Sequence, residues 1–220
     1  MGVALRWTLA GDVHLAFSTV AHGDMRDAER RSGFLASVGC HGPCAVPDQV
    51  HGCAIAPADA HVAAVVADGL ATRTPGPAIA VFGADCPGLC LAAGNAIAVA
   101  HCGWRGTAGG IVDAAIAALA RLTSQPCSTW QAFIGPGISA AHYEVDGPVL
   151  DARSWPAHAL RDQRGDRARL DLASAIVADL AVHGVTGVTR ADVCTWDDPR
   201  LWSYRRRGPG LVQALVAWRD

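Results

Sequence analysis

The sequence predicts a single compact domain of mixed α and β structure, α+β or mixed α/β, in which helices flank a mixed β-sheet. Short apolar runs of strand length alternate with segments whose apolar residues recur at helical spacing. No internal repeat, low-complexity tract or long linker interrupts the 220 residues. A chain of this length can bury a full core as one unit. We therefore expect one domain that spans residues 1–220.

The individual elements follow from periodicity and from stop signals. Amphipathic periodicity, with glycine stops at Gly39 and Gly184, predicts three helices, over Asp24–Val38, Gly110–Leu122 and Asp171–His183. Apolar runs too short for a buried helix predict strands at Ile79–Val81, Leu89–Ala92, Ile97–His101, Trp130–Ile134, Asp192–Cys194 and Leu211–Ala217.

Gly94-Asn95 lies between two of these strands and predicts a two-residue hairpin turn, because both residues tolerate positive φ. With that turn, Gly88 pairs with His101. Cys86 then lies diagonal to His101 on the same face, where the two side chains can share a metal ion. Strict alternation points Cys102 to the opposite face.

The composition excludes several classes of function. The chain is 51% hydrophobic and 17% charged, with a net charge of −2, so we expect no nucleic-acid or membrane partner. All eighteen basic residues are arginine, which excludes lysine-dependent chemistry such as Schiff-base catalysis. Asp12 and His14 interrupt the apolar N-terminal stretch, which makes a poor signal peptide. We expect a cytoplasmic protein whose eight cysteines are free thiols or metal ligands.

Three short segments are rich in reactive side chains: Gln49–Gly52, Ala84–Cys86 and His101–Gly106. Each segment alone is more typical of packed core residues or turns than of a site. No Cys-x-x-Cys or His-Glu-x-x-His motif is present, so any metal site is assembled from distant segments.

Together, the ordered motifs resemble the laccase-domain, YfiH-type family. Members of that family are described as zinc-binding purine nucleoside phosphorylases with adenosine deaminase activity, and were formerly named multicopper polyphenol oxidases. The resemblance covers roughly residues 15–217 and implies a YfiH-like fold, related to CNF-toxin-like cysteine hydrolases. Its motifs are Gln49-Val-His-Gly52, Ala67-Asp-Gly-Leu-Ala-Thr72, Ala84-Asp-Cys86, Val99-Ala-His-Cys-Gly-Trp-Arg-Gly106, Ile134-Gly-Pro-Gly-Ile138, Tyr143-Glu-Val145, Cys194-Thr195 and Ser203-Tyr-Arg-Arg206.

The resemblance places the metal ligands at His51, Cys86 and His101 and implies one zinc ion per chain. Cys86 and His101 are also the pair that the hairpin register brings together. Two imidazoles and one thiolate suit zinc, and three protein ligands leave a fourth position open, as in catalytic sites. Copper loading in vitro is also expected.

Five further residues are candidates for the pocket, and each has a plainer alternative. Arg105 binds an anion as a catalytic group, or forms a salt bridge at a helix N-terminus. Asp85 protonates the leaving base, or orients a ligand histidine. Gln49 hydrogen-bonds a purine edge, or caps backbone groups. Arg205 and Arg206 line the phosphate entry, or belong to a solvated charged face.

The resemblance implies phosphorolysis of adenosine and inosine by inorganic phosphate, together with adenosine deamination and methylthioadenosine cleavage. Three alternatives stay open. One is a copper-dependent phenol oxidase, and another is a cysteine hydrolase for cell-wall precursors with Cys86 as nucleophile and His101 as base. The last is a binding module that zinc merely stabilises.

Overall fold

The chain folds into four layers, in the order helix, sheet, sheet, helix, in a computed structural model that describes residues 2–9, 12–58 and 65–220. The described part contains fourteen strands: β1 (Leu5–Leu9), β2 (Val13–Phe17), β3 (Cys44–Ala45), β4 (Ile55–Pro57), β5 (Gly69–Thr72), β6 (Ala78–Gly83), β7 (Gly88–Ala93), β8 (Ala96–His101), β9 (Gln131–Ile134), β10 (Glu144–Val145), β11 (Leu160–Arg164), β12 (Arg167–Leu170), β13 (Gly187–Arg190) and β14 (Gln213–Arg219). Its six helices are α1 (Ala28–Ser37), α2 (Trp104–Gly109), α3 (Ile111–Ala120), α4 (Gly147–Leu150), α5 (Leu172–Val182) and α6 (Tyr204–Arg207).

The strands form three sheets rather than the single sheet that we expected. A six-stranded sheet has the order β13-β9-β7-β8-β5-β4, and a five-stranded sheet has the order β1-β2-β14-β6-β3. A small sheet, β10-β12-β11, lies apart from them. Both large sheets contain parallel and antiparallel pairs, which confirms the predicted mixed α and β class.

The central hairpin β7–β8 is buried on both of its faces. Leu89 and Leu91 pack toward α3 and α5, whereas Cys90 and Val99 pack against the five-stranded sheet. Strands covered on both sides need apolar residues at every position, which explains the continuous apolar runs in the sequence. The five-stranded sheet is covered in the same way, because its outer face packs on α1.

The predicted hairpin register is confirmed. Gly94 has a φ of 58°, Ala93 pairs with Ala96, and Gly88 pairs with His101. This register places Cys86 just before β7 and His101 at the last position of β8.

Several element boundaries differ from the prediction. Helix α1 begins at Ala28 rather than Asp24, because the Asp27 carboxylate accepts hydrogen bonds from the first helical N–H groups and fixes the start there. The predicted strand Asp192–Cys194 is wrong. The strand that pairs in parallel with β9 lies earlier, at β13, and Cys194 makes only an isolated bridge with Gly137. Within the described residues, no helix is long and apolar enough to cross a membrane.

The layered core predicts a large difference between two identical substitutions. Val99 is fully buried between the sheets, whereas Val182, in α5, is 82% exposed. Val99→Ala leaves a cavity and should lower the free energy of unfolding by about 2–4 kcal/mol. Val182→Ala should change it by less than about 0.5 kcal/mol. Urea denaturation of both variants measures the contrast, and equal effects would contradict the four-layer arrangement.

Candidate metal centre

The structure brings together the three side chains that were predicted as metal ligands. His51 lies in the loop before β4, Cys86 in the loop between β6 and β7, and His101 at the end of β8. Their ligand atoms all lie within 4.8 Å of one another, and the two imidazole rings meet edge to face. Cys102 points away, and its thiol contacts the carbonyl oxygen of Ala100. Alternation along β8 therefore separates the two adjacent cysteine and histidine side chains as expected.

A buried carboxylate, that of Asp68, positions both histidines. It is fully buried and lies 3.0 Å from Nδ1 of His101. It also accepts hydrogen bonds from the backbone N–H groups of Val50, His51 and Gly52, at 2.7–3.1 Å. The contact with Nδ1 of His101 leaves Nε2 of that ring for a metal ion, an arrangement common around bound metals.

The backbone at His51 is held in an uncommon conformation. Its φ is 61°, in the left-handed region that costs a non-glycine residue free energy. The three N–H groups that Asp68 binds come from this residue and its two neighbours. These hydrogen bonds supply the stabilisation that the strained turn requires.

The same contacts shift the acidities of the cluster. Burial raises the pKa of Asp68, but hydrogen bonds from His101, Gly52 and Val50 outweigh it and lower that pKa below its ordinary value. Burial raises the pKa of Cys86, yet the two histidines bring it down to about 7. Burial lowers the pKa of His101, whereas Asp68 and Cys86 raise it to about 9. A lowered thiol pKa favours the thiolate, which is the form that binds metals.

Gly103 permits close approach of the backbone to the cluster. A Cβ atom at this position would lie 3.1 Å from Sγ of Cys86 and 3.3 Å from Cδ2 of His51. Any larger residue would therefore press directly on the ligands. Gly103 is also the N-cap residue of α2, so the chain turns from the last ligand directly into that short helix.

A cavity of about 610 Å³ opens beside the three ligands, a size typical of small-molecule sites. Arg105 and Trp104 form one part of its wall. The Cζ atom of Arg105 lies 4.3 Å from the centre of the Trp104 ring. Within the described ranges, the guanidinium makes no hydrogen bond or ion pair, so no salt bridge at the start of α2 occupies it.

Two other candidates in the cavity wall already have protein partners. The Asp85 carboxylate accepts hydrogen bonds from Oγ1 of Thr195, at 2.6 Å, and from the backbone N–H of Arg205, at 2.7 Å. The amide of Gln49 donates to the carbonyl of Phe82 and accepts from its N–H group. Both side chains therefore hold backbone segments beside the cavity.

The two candidate arginines of the Ser203–Arg206 motif lie in different places. Arg205 lines the cavity, with its Cζ atom 4.8 Å from the Tyr143 ring centre and Nη1 bonded to the carbonyl of Glu144. The guanidinium of Arg206 instead binds backbone carbonyls of residues 196, 198 and 201. It organises that loop and is not part of the cavity lining that the structure describes.

Asp68 and Tyr143 were not identified as site residues from the sequence, although both occur in the family motifs. Asp68 is 33 residues from His101, and no spacing rule joins them. The sequence did contain one signal for Asp68, because it directly precedes the apolar segment Gly69–Thr72. A carboxylate buried there requires hydrogen-bond partners, which marks it as a residue that binds other groups.

Known proteins resemble this chain along most of its length. A family model described as "Multi-copper polyphenol oxidoreductase laccase" matches residues 18–219. A purine nucleoside phosphorylase of Pseudomonas aeruginosa is 35% identical over 180 residues, covering 78% of this chain and 72% of the relative. Purine nucleoside phosphorylase YfiH of Escherichia coli is 34% identical over 158 residues, covering 69% and 63%.

The fold has a close counterpart among solved structures. A Neisseria meningitidis protein superposes with a TM-score of 0.85 and 29% sequence identity, and the match covers 99% of each chain. The family model and the relatives agree with the motifs noted in the sequence. The chain therefore belongs to the multi-copper polyphenol oxidoreductase laccase family, whose members include the YfiH-type proteins.

Proposed function

We propose that this protein is a zinc-dependent purine nucleoside phosphorylase that acts on adenosine and inosine. The observation that carries the proposal is the cluster of His51, Cys86 and His101 at a cavity whose wall holds Arg105, a guanidinium with no partner among the described residues. The names of the relatives from Pseudomonas aeruginosa and Escherichia coli support a nucleoside phosphorylase. Nucleosides and inorganic phosphate are accordingly the proposed substrates.

The donor set fits zinc. One thiolate and two imidazoles are ordinary zinc ligands, and three protein ligands are typical of catalytic sites. When bound, zinc would supply Lewis-acid polarisation of a substrate oxygen. His51, Cys86 and His101 would hold it, and Asp68 would fix the orientation of His101 through Nδ1.

Arg105 is the proposed catalytic residue that binds phosphate. A guanidinium offers paired N–H donors that match two phosphate oxygens. Stacking on Trp104 holds the group in place without occupying those donors. The cation is therefore ready to bind an anion beside the ligand cluster.

For the remaining candidates we propose positioning roles. Asp85 fixes the backbone of Arg205, and Gln49 fixes the backbone of Phe82, at the edge of the cavity. Arg205 is proposed to contact substrate, because it lines the cavity. Arg206 acts through the loop whose carbonyls it binds. Adenosine deamination and methylthioadenosine cleavage are proposed as further activities of the same cavity.

Copper-dependent oxidation of phenols fits the site less well. Among the described residues, the metal-binding group found consists of three side chains, whereas multi-copper oxidation requires several copper ions. Copper bound in vitro would occupy the zinc ligands.

Cysteine hydrolysis stays an alternative, because the pKa of Cys86 is lowered to about 7 and His101 is beside it.

All eight cysteines are free of disulfide bonds, which supports our proposal of a reducing, cytoplasmic location.

The first test combines metal analysis with product analysis. Wild-type protein should contain about one zinc per chain and release adenine or hypoxanthine only when phosphate is present. His101→Ala removes a ligand and should abolish both zinc binding and release. His183→Ala is the matched control, because that histidine pairs with Asp113 away from the cavity. Metal-loaded wild type that leaves both nucleosides intact would favour the hydrolase alternative.

A second prediction concerns phosphate. Arg105→Ala should lower kcat/KM for phosphate by roughly 10- to 100-fold, since a charged hydrogen bond contributes about 1.5–3 kcal/mol. The zinc content should not change. Arg121→Ala removes an exposed arginine at the end of α3 and should have no effect. Steady-state kinetics with varied phosphate measure the difference, and an unchanged KM and kcat for Arg105→Ala would remove this residue from the mechanism.

A third prediction concerns the buried carboxylate. Asp68→Asn removes the charge and replaces one acceptor oxygen with an NH₂ donor. Because four donors already face this side chain, the new donor has no acceptor there and some of the existing hydrogen bonds are lost. Zinc affinity should fall by about 10- to 100-fold, as for other residues that orient metal ligands. Competition with a chelator measures the loss. Asp113→Asn, which alters an exposed partner of His183, should retain wild-type affinity, and equal affinities in both variants would contradict the role of Asp68.

A further inference from the structure

Tyr143 is a buried polar side chain in the cavity wall that the proposed function does not yet use. It precedes β10, is only 8% exposed, and lines the same cavity as Cys86 and Arg105. The guanidinium of Arg205 covers one face of its ring. In the ranges that the structure describes, its hydroxyl makes no hydrogen bond with the protein.

Because Tyr143 lines the cavity and its hydroxyl has no partner among the described residues, a bound substrate can supply that partner. Burial and the negative charge at Cys86 raise the pKa of Tyr143. The hydroxyl therefore keeps its proton at neutral pH and presents a hydrogen-bond donor. Its neighbours show which part of a substrate it would meet. The aromatic ring of Tyr143 and the nearby negative charge of Asp85 favour an uncharged purine over a phosphate dianion here.

We propose that Tyr143 is a further catalytic residue, whose hydroxyl donates a hydrogen bond to the purine as that base leaves the ribose. This role rests on the proposed phosphorolysis. It assigns the nucleophile and the leaving group to different residues: Arg105 binds the phosphate, and Tyr143 binds the purine. Hydrogen bonds aimed at charge that develops in the transition state are among the largest contributions to catalysis.

In the step itself, an oxygen of hydrogen phosphate forms a bond to C1′ of the ribose, and the bond from C1′ to N9 of the purine breaks. The electron pair of that bond passes into the purine, whose imidazole ring then carries negative charge at N7 and N9. The hydroxyl of Tyr143 donates a hydrogen bond to N7 as this charge develops, and it keeps its own proton. The proton that hydrogen phosphate carried ends on the purine, so the products are ribose 1-phosphate and the neutral base.

The test compares Tyr143→Phe with wild type on inosine and on 7-methylinosine. Methylation blocks N7 and gives a cationic purine, which leaves as a neutral base and needs no hydrogen bond there. We expect Tyr143→Phe to lower kcat for inosine by about 10- to 100-fold with little change in KM. For 7-methylinosine the loss should be less than about threefold. The phenyl ring retains the contact with Arg205, so zinc content should match wild type.

Thr186→Val is the control, because it removes an exposed side-chain hydroxyl that does not line this cavity. Its kinetics should show no difference between the two substrates. Equal losses on both substrates in Tyr143→Phe, or no loss on either, would overturn the role of Tyr143 while phosphorolysis stands. A zinc-loaded wild type that cleaves neither nucleoside would overturn the proposed function, and this role with it.

Discussion

The candidate metal centre depends on one interaction, the hydrogen bonding of the buried Asp68 carboxylate. An ion removed from water costs several kcal/mol unless its oxygens find donors. Asp68 finds four, three from consecutive N–H groups of residues 50–52 and one from His101. Because these donors come from a loop and from the end of a strand, satisfying the charge fixes both segments. The two imidazoles are then placed beside Cys86 before any metal binds.

The layered fold decides where such a cluster can lie. Strands β7 and β8 are covered on both faces, so polar side chains have room only at their ends. Cys86 precedes the first strand and His101 ends the second, and the antiparallel register puts these two ends together. The hydrogen bonding between β5 and β8 continues one residue before β5, where the N–H group of His101 donates to the carbonyl of Asp68. The centre is therefore the polar edge of an apolar sheet.

Local features of this arrangement could be read from the sequence, but its long-range contacts could not. The Gly94-Asn95 turn fixed the register, and with it the diagonal placement of Cys86 and His101 on one face, because alternation in a hairpin is a short-range rule. Asp68 has no such rule, since its partners are 33 residues later and 16–18 residues earlier. The roles of Gln49 and Asp85 were undecided for the same reason. Their partners, Phe82 and Thr195, become neighbours only through sheet packing.

The charges of the proposed zinc centre explain why we propose Arg105 as the phosphate-binding group. A divalent ion held by one thiolate and two neutral imidazoles has a net charge of +1, and the carboxylate of Asp68 reduces the local sum to zero. A neutral centre gives little attraction to phosphate over distance. Arg205 and Arg206 already bind backbone carbonyls, whereas Arg105 has unoccupied N–H donors in the described chain. In the proposed function, the positive charge that selects phosphate is thus separate from the metal ligands, and the rest of the cavity is left for an uncharged nucleoside.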